Sequence, residues 1–158
     1  PVYNVIPIHL CNFAAIAAGL YLICKTRFLF NLAYFLSFGA AFALVLPGVV
    51  VYYHSFYVYI FMIMHALEFV AVFYGFIYLK DKIDFKNYIL SCIVLIMLFV
   101  YAAIYNTIFP VNAMFLKAYI ADLVSFIKPF ELYIVILISS MLFIMFLMYL
   151  PFRKRKVS

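Results

Sequence analysis

Charge is what this chain of 158 residues has least of: 10% of its positions are Asp, Glu, Lys or Arg, against about 25% in a soluble domain. Glycine occurs four times and cysteine three times. So few glycines leave no phosphate-cradling loop, and no CxxC spacing or HExxH segment announces a redox or metal centre. Ser-His-Asp signatures and paired carboxylates of the glycosidase kind are missing as well. What remains is apolar: 72% of the residues are hydrophobic and 22% aromatic, with a mean hydropathy of +1.25. That composition excludes a water-soluble globular domain, a disordered tail and a disulfide scaffold. It leaves an integral membrane protein.

Five hydrophobic stretches follow one another, at about residues 6–24, 28–46, 56–79, 87–109 and 131–152. About 20 helical residues at 1.5 Å rise cover the ~30 Å hydrocarbon core. The runs are continuous rather than alternating, which rules out barrel strands. The expected fold is all-α: a polytopic transmembrane helical bundle of five spans, forming one domain over residues 1–158. Charged or breaking residues divide the spans at Lys25 and Arg27, Pro47–Gly48, Lys80 to Lys86, and Pro110. The 110–130 connection mixes Met114, Phe115, Tyr119 and Leu123 with polar residues, the pattern of an amphipathic or re-entrant surface segment.

The net charge of +6 has a topological reading. If the run Arg153 to Lys156 is cytoplasmic, nine of the eleven basic residues share that side. Only Lys117 and Lys128 then lie outside, near Asp122 and Glu131. Basic loops mark the cytoplasmic face. The expectation is a multi-pass protein of the cell membrane with a cytoplasmic C-terminus and residue 1 on the outer face. Tyr52, Tyr53 and Tyr57 on one side, with Tyr78, Tyr88 and Tyr149 on the other, fit interfacial belts. No nucleic-acid partner is expected, because no soluble basic face exists to bind one. The sequence opens on Pro1 rather than Met and is read as an N-terminally truncated piece.

Ionisable groups inside a span cost about 2.5–3.5 kcal/mol on insertion scales, so their positions carry information. His9, Cys11 and Asn12 open the first span, His65 and Glu68 sit within the third, and Asn106 and Asn112 close the fourth. All fall in the half expected to face outward, and an outward-facing polar pocket is the simplest account. His65 and Glu68 are three apart and share a helix face. A carboxylate beside an imidazole suits a general base; it also suits a helix–helix hydrogen bond. His9 and Cys11, two apart, point about 200° apart on a helix. A base for Cys11 must therefore come from another helix. With Pro7 as the first helical residue, Cys11 would lie about one turn inside a helix start. Cys24 and Cys92 read as small apolar fillers. No disulfide is expected, and no metal or cofactor is called for.

The segment Ile6-Pro7-Ile8-His9-Leu10-Cys11-Asn12-Phe13 resembles the hallmark of the YwaF-type family of bacterial integral membrane proteins. Phe28 to Phe35, His65 after an aromatic-rich run, and Asn112-Ala113-Met114-Phe115-Leu116-Lys117 resemble later stretches of that family, in order. The resemblance implies about seven helices in the whole protein, of which these five are the last. It also implies kinship with eukaryotic multispan phospholipid acyltransferases, in which a nucleophile near an outer helix end works with a histidine on another span. By that resemblance Cys11 is the nucleophile and His65 the base, with His9, Asn12, Glu68, Asn106 and Asn112 as a supporting polar shell. The expected function is a lipid acyltransferase or lipid hydrolase acting on membrane lipids of the outer leaflet. Amide groups of Asn12 and Asn106 would then be available to an oxyanion. Two alternatives stand beside it: a non-catalytic structural or binding subunit, and a proton-coupled transporter using His65 and Glu68.

Overall fold

The computed structural model of this chain describes residues 8–45 and 55–153. Pro7, Pro47–Gly48, Tyr52, Tyr53 and the run Lys154 to Lys156 lie outside the described residues. Among those described, every regular element is helical: α1 (Leu10–Cys24), α2 (Arg27–Leu36), α3 (Phe38–Val45), α4 (Ser55–Tyr74), α5 (Phe85–Ile108) and α6 (Phe130–Tyr149). The chain is an all-α polytopic bundle, as its composition requires. Ser37 joins α2 to α3, its Oγ donating to the Tyr34 carbonyl at 2.7 Å. A π turn, Gly75–Leu79, continues α4, and a 3-10 turn, Leu150–Phe152, continues α6.

Four segments are long and apolar enough to cross a membrane: Arg27–Val45, Val58–Leu79, Phe85–Ile108 and Phe130–Phe152. The described α1 has 15 residues, about 22 Å, and is apolar but shorter. Ile23, Ile63, Val70, Met97, Ile104 and Val135 all lie exposed on the flanks. Water would penalise so continuous an apolar surface; lipid does not. The chain alternates in direction. We call the end holding His9 and Asn112 the upper end, and the end holding Cys24 and Lys80 to Asp84 the lower end.

Small residues let α1 sit close to its neighbours. Ala14, Ala17 and Ala18 are buried, and α1 packs against both α2 and α4. Close backbone approach replaces hydrophobic driving force where the solvent is itself apolar. Gly75 marks the tightest point: a Cβ there would meet the Phe30 ring at 2.5 Å and the Tyr21 hydroxyl at 2.6 Å. Leu10 likewise lies over Gly39 of α3.

Hydrogen bonds lock the lower end. Asn31 is fully buried; its Nδ2 donates to the carbonyls of Arg27 and Lys82 at 2.9 and 3.2 Å. Its Oδ1 accepts from the Asp84 amide at 3.2 Å. Asp84 in turn caps α5, accepting from the Asn87 backbone amide at 2.9 Å and its side-chain amide at 2.8 Å. Tyr21 donates to Asp81 Oδ2 at 2.6 Å. Together these bonds bolt the Lys80 to Asp84 connection to α1 and α2. The Arg27–Asp84 ion pair, 3.9 Å long and partly exposed, adds little at such a site.

Gly75→Val therefore has no room for its side chain and is expected to lose about 1–3 kcal/mol to overpacking. Gly19→Ala, whose Cβ meets nothing within 4 Å, should hold or raise stability by reducing backbone freedom in the helix. Thermal unfolding in detergent micelles compares the two.

Candidate functional site

α1 begins at Leu10, with His9 extended at the N-cap position (φ −117°, ψ 156°). Cys11 is thus the second helical residue, nearer the helix start than a helix beginning at Pro7 would put it. Asn12 closes the first turn: its Oδ1 accepts from the His9 amide at 3.0 Å, and its own amide donates to the His9 carbonyl at 3.1 Å. Cys11 lies in the first turn of α1, beside the backbone of Asn12. The positive end of the helix dipole lies there. The thiol is half-buried and free. The His9 ring packs on Phe115, centroids 5.2 Å apart, and its buried Nδ1 has no hydrogen-bond partner among the described residues.

His65 is 6% exposed and packs at a tilt against the Phe61 ring, centroids 4.0 Å apart. Its Nδ1 lies 2.6 Å from the Phe61 carbonyl oxygen. A carbonyl only accepts, so in the neutral ring Nδ1 carries the hydrogen and Nε2 keeps its lone pair. That Nε2 is buried and has no partner among the described residues. One turn lower, Glu68 is 3% exposed, and its Oε2 is unpartnered in the same way. Buried polar atoms left unpaired cost about 1–3 kcal/mol each. Two of them on one helix face are therefore a costly arrangement.

Helix register sets Cys11 at nearly the level of these groups. Tyr21 and Gly75 touch, and Cys11 and His65 each lie ten residues above them on parallel helices. At 1.5 Å per residue that is about 15 Å in both cases, which puts the two side chains within about a turn of one level. Cys11 shares its helix stripe with Ala15, Ala18 and Leu22, at steps of four, three and four. Ala15, Ala18, Gly19 and Leu22 form the α1 wall of a cavity of about 380 Å³, faced from α4 by Met64, Leu67 and Glu68. Glu68 lies within electrostatic range of Cys11. Leu22, Met64, Leu67 and Val70 of this cavity are exposed on the flank of the bundle, so it opens sideways, towards the surface that lipid would cover.

Asn106 and Asn112 have a different task. Asn106, 3% exposed, donates to the Ala113 carbonyl at 3.1 Å and accepts from its amide at 2.8 Å. Asn112 Oδ1 accepts from the amides of Lys117 and Ala118 at 2.8 and 3.2 Å, and its Nδ2 donates to the Ala118 carbonyl at 3.2 Å. Non-helical backbone needs such partners where water is scarce. These amides are committed to the connection after α5 rather than held free for an oxyanion. The Phe61 carbonyl, which sets the His65 tautomer, was not among the residues singled out from sequence. The small-residue spacing of Ala15, Ala18 and Gly19 was the one available signal for the cavity. Among the described residues no three His, Cys, Asp or Glu side chains gather as a metal site.

The fold defines a multi-pass helical membrane protein, with a largely apolar cavity between α1 and α4 whose wall carries Glu68. The chain belongs to the TMEM164 family, which matches residues 1–149. It is also similar to an uncharacterized protein of Treponema pallidum (strain Nichols), 33% identical over 152 residues. That alignment takes in 95% of this chain and 63% of the relative, so the chain spans somewhat under two thirds of the curated relative it matches. No solved structure matches. The family match corrects the YwaF-type resemblance, which rested on short apolar words such as His9-Leu10-Cys11-Asn12. Membrane helices draw on so few residue types that short words of this kind recur between families. The seven-helix count was drawn from that resemblance and falls with it.

Asn106→Leu removes both bonds to Ala113 and leaves its buried N–H and C=O without partners. We expect a loss of about 2–4 kcal/mol, measured by thermal unfolding, and faster proteolysis within residues 111–129. Labelling of Cys11 by a thiol-reactive probe in the folded protein should change little.

Proposed function

We propose that this protein is a membrane-embedded lipid acyltransferase or lipid hydrolase, with Cys11 as nucleophile and His65 as its base. The observation that carries the reading is the buried Nε2 of His65. Its lone pair is left free by the Nδ1 bond to the Phe61 carbonyl, near the level of a free thiol at a helix start. In the reaction, Cys11 Sγ attacks the carbonyl carbon of a lipid ester as its proton passes to His65 Nε2. A carbon–sulfur bond forms, the ester carbon–oxygen bond breaks, and His65 returns the proton to the leaving alcohol. Water or a second alcohol then takes the acyl group from the thioester. Backbone N–H groups at the start of α1 offer stabilisation to the oxyanion, a role worth about 2.7–4 kcal/mol per donor in other enzymes. The carboxyl of Glu68 stands on the cavity wall, the ring of His9 flanks the first turn of α1, and the sideways opening suits a substrate that stays in the bilayer.

The test is covalent. Full-length protein in phospholipid nanodiscs is incubated with phospholipid carrying a labelled acyl chain. A hydroxylamine-sensitive label should appear on Cys11, vanish in Cys11→Ala, and form about 100-fold more slowly or worse in His65→Ala. A folded Cys11→Ala protein that still turns over lipid would assign the pocket to a purely structural or binding role.

We further infer that the C-terminus is cytoplasmic and residue 1 lies on the outer face of the cell membrane. The supporting feature is charge: Lys25, Arg27, Lys80, Lys82, Lys86 and Arg153 all belong to the lower end, and basic residues stay on the cytoplasmic side. A reporter active only in the cytoplasm should work when fused after Ser158 and fail when inserted after Lys117.

A further inference from the structure

A second cavity lies on the other side of the bundle, between α5, α6 and the connection that joins them. It measures about 590 Å³. Its walls are apolar, with Ile96 and Val100 of α5 facing Ile134 and Ile138 of α6, and Lys117 and Thr107 stand at its upper rim. It takes no part in the Cys11 site. α6 buries only Tyr133, Leu137 and Met145, so it leans on α5 without closing the space between them.

Length and charge identify what fits. From Ile96 to Thr107 the channel follows α5 over eleven helical steps, about 16 Å at 1.5 Å each. Half of a ~30 Å hydrocarbon core is about 15 Å. The channel therefore has the depth of one leaflet, and its only cation stands where a headgroup would begin. Lys117 is exposed, and its Nζ donates to the Phe109 carbonyl at 3.3 Å; among the described residues no carboxylate pairs with it. Its position is prepared. Asn106 grips Ala113 by two bonds, and Asn112 holds the Lys117 amide itself. An ammonium at the rim of an apolar channel one leaflet deep is complementary to a phosphate ester with an attached acyl chain.

We propose that this channel is a glycerophospholipid site, with the lipid phosphate on Lys117 and one acyl chain between α5 and α6. The proposal stands apart from the acyl-transfer reading: the lipid here is held, and no bond in it changes. The experiment uses the full chain in phosphatidylcholine nanodiscs containing about 1 mol% of a probe lipid. One probe is phosphatidylcholine with a photoactivatable group on its acyl chain; the other is the matching diacylglycerol, which lacks phosphate. After illumination, mass spectrometry maps the crosslinked peptides. The phosphatidylcholine probe should concentrate on the peptides carrying Ile96 to Thr107 and Ile134 to Ile138, and the diacylglycerol probe should not. Lys117→Ala should lower that labelling about fivefold, and Lys117→Arg should keep it. Ala103→Phe, which puts a ring into the channel, should lower it with Lys117 intact. Labelling spread evenly around the bundle, equal for both probes, or unchanged in Lys117→Ala would overturn the proposal.

Discussion

Hydrocarbon has nothing to offer a backbone N–H or C=O, and that constraint organises the whole molecule. Helices satisfy it along their length, which is why the apolar stretches fold as α2–α3, α4, α5 and α6. Where a helix ends, the obligation passes to side chains. Thr26 receives the Leu29 amide, Asp84 caps α5, Asn31 holds the carbonyl of Lys82 and the amide of Asp84, and Asn106 and Asn112 hold the connection beyond α5. Most of the asparagines of this chain are explained by that duty alone.

Against so complete a pattern, the exceptions carry meaning. The lower end is saturated: Tyr21, Asn31, Asp84 and Asn87 all find partners. Three buried atoms of the described residues do not, namely His9 Nδ1, His65 Nε2 and Glu68 Oε2. Glu68 lies on the wall of a cavity that opens on the flank, His65 sits one turn above it on α4, and His9 caps the first turn of α1, which carries Cys11. The other buried polar side-chain atoms of the described residues are paired, and these three are left unpaired at a cost to stability. The rigid α1–α4 contact through Gly75 and the small residues of α1 holds them in register. Function is the economical explanation for such a concentration of unmet valence.

The helical class was legible because each stretch carries its own transfer free energy, independent of its neighbours. Cys11, His65 and Glu68 were legible as polar residues placed where lipid should be. Asn106 and Asn112 were visible by the same rule, but their partner is the backbone of Ala113 and Ala118, a few residues along the chain, and nothing in residue type separates a loop clamp from a substrate clamp. The start of α1 was misplaced for a related reason: Pro7 suits a first helical position, whereas the extended His9 and the Asn12 side chain set the beginning at Leu10. Family membership was misread from an eight-residue word, too short to discriminate among apolar helices.

Composition and hydrophobic run length by themselves determined that this protein lives in a membrane as a bundle of helices, because burial in lipid is decided residue by residue. Which polar groups meet was decided only by tertiary structure. Tyr21 finds Asp81 sixty residues away, and Asn31 finds Lys82 and Asp84. Those pairings depend on helix register, and register is set by contacts between small residues far apart in the chain, which no local pattern encodes.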